Sequence, residues 1–400
     1  VEKKTGFLCT SEETHMTNAR APNHAIAKSD RFSFVDQTSK PFVGIIFSCL
    51  LLLSHAAKAD DQWLEGAGPA WADMLAKAKT EKPVVVAIGA PIANELASAF
   101  KRDTGLDLQH IGGDASAVSA RLAQEIVSPN LTIDVQIGGS SELPFIERGL
   151  MQPIKPLLVL PRVTEGKYWL GGKIRWIDNA GQYYAQGAEY VSFRVFANPD
   201  KINVSEIREF ADLLQPQYKG KIASSDPSGA AGGRGFAEAV ASSRGQDFLV
   251  KLYKGQDITF TRNPTQLVEW AARGVQPIII GSLQQYVDKF VSEGFNIKYV
   301  TFSDWPVHTT GGRSVIKVPA KAPHPNAAAV FVNWFLSKPG QELYEKLLAE
   351  PSRRIDLAHA NIPDYAIPKP GIDYVGSYDE SYVLKLRGEV AKQMRAIVNE

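Results

Sequence analysis

Cysteine is scarce in this chain. The 400 residues hold two, Cys9 and Cys49, and both fall within the first 59. Residues 60–400 therefore offer neither a disulfide framework nor a thiol nucleophile. A body of that length has to rest on ordinary packing. An excess of charge is missing too, because the formal net charge is +1. Setting aside residues 1–59, with 7 Lys/Arg and 5 Asp/Glu, leaves 37 basic residues against 38 acidic ones. That balance would not neutralise a phosphate backbone, so nucleic acid is not an expected partner. Long apolar runs are lacking as well. The longest, residues 41–54 (PFVGIIFSCLLLLS), has 14 residues, short of the roughly 18 that suggest a membrane span. Enzyme signatures are equally thin. No GxxxxGKS/T phosphate loop occurs, and residues 229–235 (GAAGGRG) are too loose for a dinucleotide fingerprint. Residues 138–142 fail as a GxSxG elbow because Glu142 stands where the last glycine belongs. No carboxylate pair stands out as acid and base.

What is present begins with a leader. Lys28, Arg31 and Lys40 precede the apolar run, and Ala57-Lys58-Ala59 follows it as a small-x-small cleavage site. This predicts a secretory signal with a long front extension over residues 1–59, removed near Ala59. An uncleaved amphipathic anchor is the alternative. The expected mature protein, residues 60–400, is exported.

Past a short amphipathic helix around Trp71, Met74 and Leu75, a regular rhythm starts. Buried-type strands are expected at 84–88, 106–111 and 133–137, each ending in a Gly/Ser-rich turn and feeding a helix. Alternation of this kind implies βαβ units around a parallel sheet, with ligands at the carboxyl ends of the strands. Residues 167–197 are rich in aromatics without helical period and read as extended. The rhythm resumes with strands at 221–223, 258–261 and 277–280, and Ser205 is expected to cap a helix over Ile207–Leu214. Residues 224–235 read as a loop. Asn263-Pro264 opens one helix and Gly274 closes it. A strand over 314–318 then leads to a helix striped by Val330, Phe331, Trp334 and Phe335, which Pro339-Gly340 is expected to break. The expected organisation is two α/β lobes: residues 60–195 plus 305–400, and residues 196–304. Two extended crossings between them would act as a hinge.

Several phrases together carry a family likeness. The first lobe has Gly112-Gly113-Asp114-Ala115, Glu125, Pro129, Asp134-Val135, Gly138 and Gly149-Leu150-Met151-Gln152-Pro153. The next stretch has Phe196-Ala197-Asn198-Pro199-Asp200-Lys201. It continues through Asp212-Leu213-Leu214, Pro216, Tyr218, Lys219-Gly220-Lys221-Ile222-Ala223, Asp226-Pro227 and Gly232. Residues 309–341 (TTGGRSVIKVPAKAPHPNAAAVFVNWFLSKPGQ) complete the set. In order, these resemble bacterial extracellular solute-binding proteins of the ferric-iron-binding type, which feed ABC importers. The resemblance implies a type II periplasmic binding fold: two lobes, each a mainly parallel sheet flanked by helices. It also implies a periplasmic, monomeric, non-enzymatic protein that needs no cofactor and delivers a small solute to a membrane permease. A receptor reporting to a membrane sensor would have the same sequence features. An exported α/β enzyme such as a transferase is the rival class.

Ferric-binding members are expected to hold iron with two adjacent tyrosines after a strand of the second lobe. Here Tyr286 stands alone, and Tyr183-Tyr184 falls before the crossing, where alternating core aromatics explain it. His110 and His308 form no metal-ligand pair, so no metal site is expected, and ferric-iron transport stands as the alternative function. The strand-end loops instead suit an anion. Asp114, Ser116, Ser140, Ser141 and Ser228 lie at helix starts, where free N–H groups favour phosphate or carboxylate. Arg234, Arg262 and Arg313 lie in or beside such loops, and a guanidinium can clamp a carboxylate at two points. The expected solute site is Asp114, Ser116, Ser140, Ser141, Ser228, Arg262 and Arg313, with Tyr286 and Trp305 as an aromatic wall. Helix capping accounts equally well for the serines, and surface ion pairs for the arginines.

Overall fold

The computed structural model describes residues 62–399 apart from 91, 193, 229–231, 306–307 and 361. The leader expected over residues 1–59 lies outside them. The first strands are β1 (Val84–Ile88), β2 (Leu108–Ile111), β3 (Val135–Gly138), β4 (Met151–Gln152), β5 (Arg175–Trp176) and β6 (Ala185–Gln186). Then come β7 (Tyr190–Ser192), β8 (Val195–Ala197), β9 (Ile222–Ser225), β10 (Thr259–Thr261), β11 (Ile278–Ile280) and β12 (Lys298–Val300). The last are β13 (His308–Thr310), β14 (Val315–Pro319) and β15 (Val375–Gly376). The helices begin with α1 (Pro69–Ala78), α2 (Ala93–Thr104), α3 (Ala115–Glu125), α4 (Pro144–Glu147), α5 (Pro161–Thr164) and α6 (Gly232–Arg244). After them run α7 (Gln246–Tyr253), α8 (Pro264–Arg273), α9 (Gln284–Ser292), α10 (Pro325–Leu336), α11 (Lys338–Leu348) and α12 (Arg387–Asn399).

Among the described residues the strands form three sheets. The largest runs β2-β1-β3-β14-β6-β5, with β4 pairing the end of β14. Its β1–β3 core is parallel, and β14 returns antiparallel against β3. The second runs β10-β9-β11-β8-β12, parallel through β10, β9 and β11 and antiparallel at β8. A small sheet, β15-β13-β7, pairs β13 antiparallel with β7 and parallel with β15. Every residue of β1 is buried, as a strand covered on both faces requires. The local signals hold where they are short-ranged. Gly105 closes α2 at φ 75°, and Asn263 caps α8 through Thr265 N and Gln266 N with Pro264 following.

Helix α10 sits in the core of the first sheet, buried from Ala327 to Leu336. Its one polar member there, Asn333, accepts from Val159 N at 2.9 Å and donates to Leu157 O at 2.8 Å. Buried polarity of this kind persists only when its partners are present. The break after α10 falls at Ser337, ahead of Pro339-Gly340. Pro339 lies in the first turn of α11, where its missing N–H costs no hydrogen bond. Gly340 is needed because a Cβ there would stand 2.3 Å from Trp334 O.

Several expectations change. Residues 204–214 form two 3-10 turns instead of a helix, and Asn203, not Ser205, caps the first. Helix α6 starts at Gly232, inside the stretch read as loop. His308 is a fully buried residue of β13. Helix α12, in the stretch expected with the first lobe, packs on α6 and α7, burying Val390 and Met394 among the second sheet's apolar residues.

Candidate functional site

Strand β7 follows β6 of the first sheet and leads into β8 of the second. Strand β13 makes the reverse passage, from β12 to β14. Their antiparallel pairing therefore carries the chain between the two sheets, and two cavities open beside β7. One, of about 280 Å³, is lined by Tyr190, Ser192, Arg194, Leu283, Asp288, Arg313, Glu350 and Tyr365 among others. The other, of about 250 Å³, shares Tyr190, Ser192 and Leu283 and adds Arg234, Glu238, Thr310, Ser377, Tyr378 and Arg387.

The first cavity is anchored by Arg313. Its Nη1 donates to Gly89 O at 3.1 Å, its backbone N to Glu350 Oε2 at 3.1 Å, and its Nε lies 3.6 Å from Glu350 Oε1. Tyr344 also donates to the Glu350 carboxylate. Burial raises the Glu350 carboxyl above its ordinary range, and the Tyr344 and Arg313 contacts offset that only in part. Burial, with the Glu350 charge behind it, likewise pushes the Tyr190 hydroxyl up, so it stays a protonated donor at neutral pH.

In the second cavity Glu238 lies between two guanidiniums, 3.5 Å from Arg234 Nε and 3.6 Å from Arg387 Nε. Arg387 also donates to Ser377 O at 3.1 Å. Tyr378 donates to Gly312 O at 2.7 Å, tying the segment after β15 to the turn that carries Arg313. Burial raises the Glu238 carboxyl despite both arginines.

A third group of charges supports the loop after β3. Lys317 Nζ, on β14, lies 2.9 Å from Glu142 Oε2 and donates to Gly139 O at 2.6 Å. Burial pushes the Glu142 carboxyl up. The Lys317 charge, with hydrogen bonds from Lys317, Ser119 and Ser141, outweighs that and holds it at about 2.

Of the nine residues expected at the solute site, Arg313 lines these cavities. Asp114 caps α3, accepting from Ser116 N and Ala117 N at 2.8 and 2.9 Å, so Asp114 and Ser116 serve the helix end. Ser140 is buried beside the Lys317–Glu142 pair's loop, and Ser141 donates to Glu142 at 3.0 Å. Ser228 turns back on Asp226, donating through N and Oγ at 2.8 and 2.6 Å. Arg262 pairs with the same Asp226 at 2.7 Å while its side chain stays 83% exposed. Tyr286 packs half-buried with the apolar residues of α8 and α9. Trp305 stacks on Phe210, ring centres 4.0 Å apart, and on Phe236 at 5.8 Å, and packs partly buried against the second sheet's apolar residues. Tyr184 is fully buried, its hydroxyl donating to Glu142 O at 2.7 Å. Arg234 lies beside a strand-end loop legible in the sequence, whereas Tyr190, Glu238, Ser377, Tyr378 and Arg387 join it in these cavities from scattered positions. No local motif marks them, since they meet only through β7, α6 and the chain end. Among the described residues no three His, Cys, Asp or Glu side chains converge as metal ligands would.

Comparisons with known proteins agree with this architecture. The family described as bacterial extracellular solute-binding protein matches residues 175–346. No curated protein matches the chain. Among solved structures, the chain is similar to the Trichodesmium protein IdiA (FutA) in complex with iron and citrate ligands. The two share 18% identity at a TM-score of 0.59, over 79% of this chain and 99% of that one. This is the fold of periplasmic solute-binding proteins. A ferric binding protein from Campylobacter jejuni matches at 17% identity and TM-score 0.59, over 79% of this chain and 99% of its own. The periplasmic binding protein AfuA from Actinobacillus pleuropneumoniae, with fructose-6-phosphate bound, matches at 17% identity and TM-score 0.53, over 80% and 99%. The periplasmic binding fold here is thus an α/β arrangement of mixed sheets flanked by helices.

Proposed function

We propose that this chain is the exported, periplasmic solute-binding component of an ABC importer, and that it holds a small anion in the cavities beside β7. The observation that carries this reading is the pair of cavities flanking the strands that join the two sheets, with Arg313 facing one and Arg234 and Arg387 the other. In this reading one lobe is the first sheet with its helices, and the other is the second sheet with α12. The paired strands β7 and β13 are the hinge. Solute binds one lobe, the other closes over it, and the closed form docks on the permease. Closure is a population shift, so the solute has to prefer the closed state. The role is capture and release, not bond-making.

The relatives bound to iron with citrate and to a sugar phosphate show what two such proteins hold. An anion fits this chain better than ferric iron. Tyr184 is sealed beneath Glu142, and Tyr286 is packed among α8 and α9 residues, so neither faces the cavities.

Native mass spectrometry of the gently purified protein, followed by a thermal-shift screen of anions, ferric iron and polyamines, tests the proposal. A solute at about 100 times its Kd adds about 2.7 kcal/mol of stability. An anionic adduct that compacts the protein in solution scattering is the expected result. A bound polyamine or iron, or an unchanged scattering curve with a saturating ligand, would refute it.

A further inference from the structure

We propose that Arg234 and Arg387 form a two-guanidinium clamp that selects solutes with a doubly charged head, such as a phosphate monoester or phosphonate. The proposal rests on the anion-capture reading above and names the substrate class of that site. Arg234 comes from the first turn of α6, and Arg387 opens α12. Both side chains are partly exposed, at 33% and 24%, into the same cavity.

Charge counting sets the class. Glu238 is the one carboxylate lining this cavity among the described residues, so two cations face a single anion. The contacts are also loose. Glu238 Oε1 and Arg387 Nε are buried without a hydrogen-bond partner, and the ion-pair distances of 3.5 and 3.6 Å exceed those of a fork-on-fork pair. Ser377, 3% exposed, lines the same cavity, and its Oγ is buried with no partner. A buried hydroxyl left unmatched is a position that a bound oxygen would satisfy. The start of α6 lies there too: Gly232 and Gly235 line the cavity without side chains in the way, and the early N–H groups of a helix favour an anion.

The adjoining cavity differs. Arg194 and Arg313 are balanced there by Asp288 and Glu350, beside Leu283 and Tyr365. A solute spanning both would place its charged head between Arg234 and Arg387 and an uncharged, partly apolar body past Ser192. The segment Ser377–Arg387, which reaches α12 only after leaving β15, thereby becomes a wall of the site.

Phenyl phosphate and phenyl sulfate are near-isosteres carrying two charges and one at pH 8, which makes them the probes. Calorimetric titration of the purified protein should show phenyl phosphate binding about tenfold tighter or more, the scale of one charge-assisted hydrogen bond. Arg387→Gln should abolish that ratio while phenyl sulfate is weakened less. Glu238→Gln should tighten phenyl phosphate by removing the competing charge, and circular dichroism checks that both variants fold. If Arg387→Gln does not fold, Arg234→Gln and Glu238→Gln carry the same test. Equal affinity for the two esters, or a ratio unchanged in the variants, overturns the clamp and leaves anion capture standing. Binding of neither ester at millimolar concentration also overturns it, and aliphatic carboxylates titrated alongside then decide whether anion capture survives.

Discussion

Lys317 and Glu142 face each other at 2.9 Å, with side-chain exposures of 0% and 2%. The pair joins β14 to the residue that ends the Gly-Gly-Ser-Ser turn after β3, and Lys317 also holds the turn through Gly139 O. The Tyr184 ring lies 5.2 Å from the ammonium. A charge buried this deeply is tolerable only with its partner in place.

Removing one partner should therefore be costly. Lys317→Met is expected to lower stability by about 3–5 kcal/mol, because Glu142 is left buried and unpaired. Chemical denaturation measures it.

The same pair sets an acid limb. The Glu142 carboxyl is held at about 2 in the folded state, below its ordinary 4.5. A lowered value contributes stability above 4.5 that is lost as pH falls towards 2. Denaturation at a series of pH values should show that loss in the wild type. In Lys317→Met the loss should shrink, since the Lys317 charge and hydrogen bond, the main groups holding Glu142 down, are gone.

Arg313→Ala should weaken solute binding about tenfold, the scale of losing one charge-assisted contact. It should also free the Glu350 carboxylate from its guanidinium neighbour. Titration with whichever anion the screen identifies reads the effect, and an unchanged Kd would remove Arg313 from the site.

Asn333→Leu tests the polar staple inside α10. Val159 N and Leu157 O would lose their partner in a buried setting. At about 1–3 kcal/mol for each unmatched buried group, a loss of about 3 kcal/mol is expected in denaturant melts.

Met394→Ala tests the packing of α12. The side chain is fully buried against the second sheet's apolar residues, so truncation should cost about 2–5 kcal/mol. Hydrogen exchange should show the lost protection in α6 and α7 more than in α10. A uniform loss would contradict the assignment of α12 to the second sheet's unit.

Legibility followed the range of the interaction. Strands such as β1 and β11 are readable because apolar runs bounded by turns are local patterns, and the caps at Asn263 and Gly274 are readable for the same reason. Asp114 stands at a helix start and Ser228 after a strand, as the sequence places them, and the structure adds the hydrogen bonds each makes within its own turn. Trp305 was an aromatic near a predicted crossing, and only the positions of Phe210 and Phe236 showed it to be packed.

By itself, the sequence determined the α/β rhythm, the turn positions and the lack of covalent staples, since periodicity, capping and composition act between neighbours in the chain. The tertiary structure alone decided which charges share a cavity. Arg234 and Glu238 on α6 meet Arg387 on α12 because an apolar face carrying Val390 and Met394 is driven into the second sheet's core. Burial depends on everything packed around a residue, and Coulomb energy on distance through space.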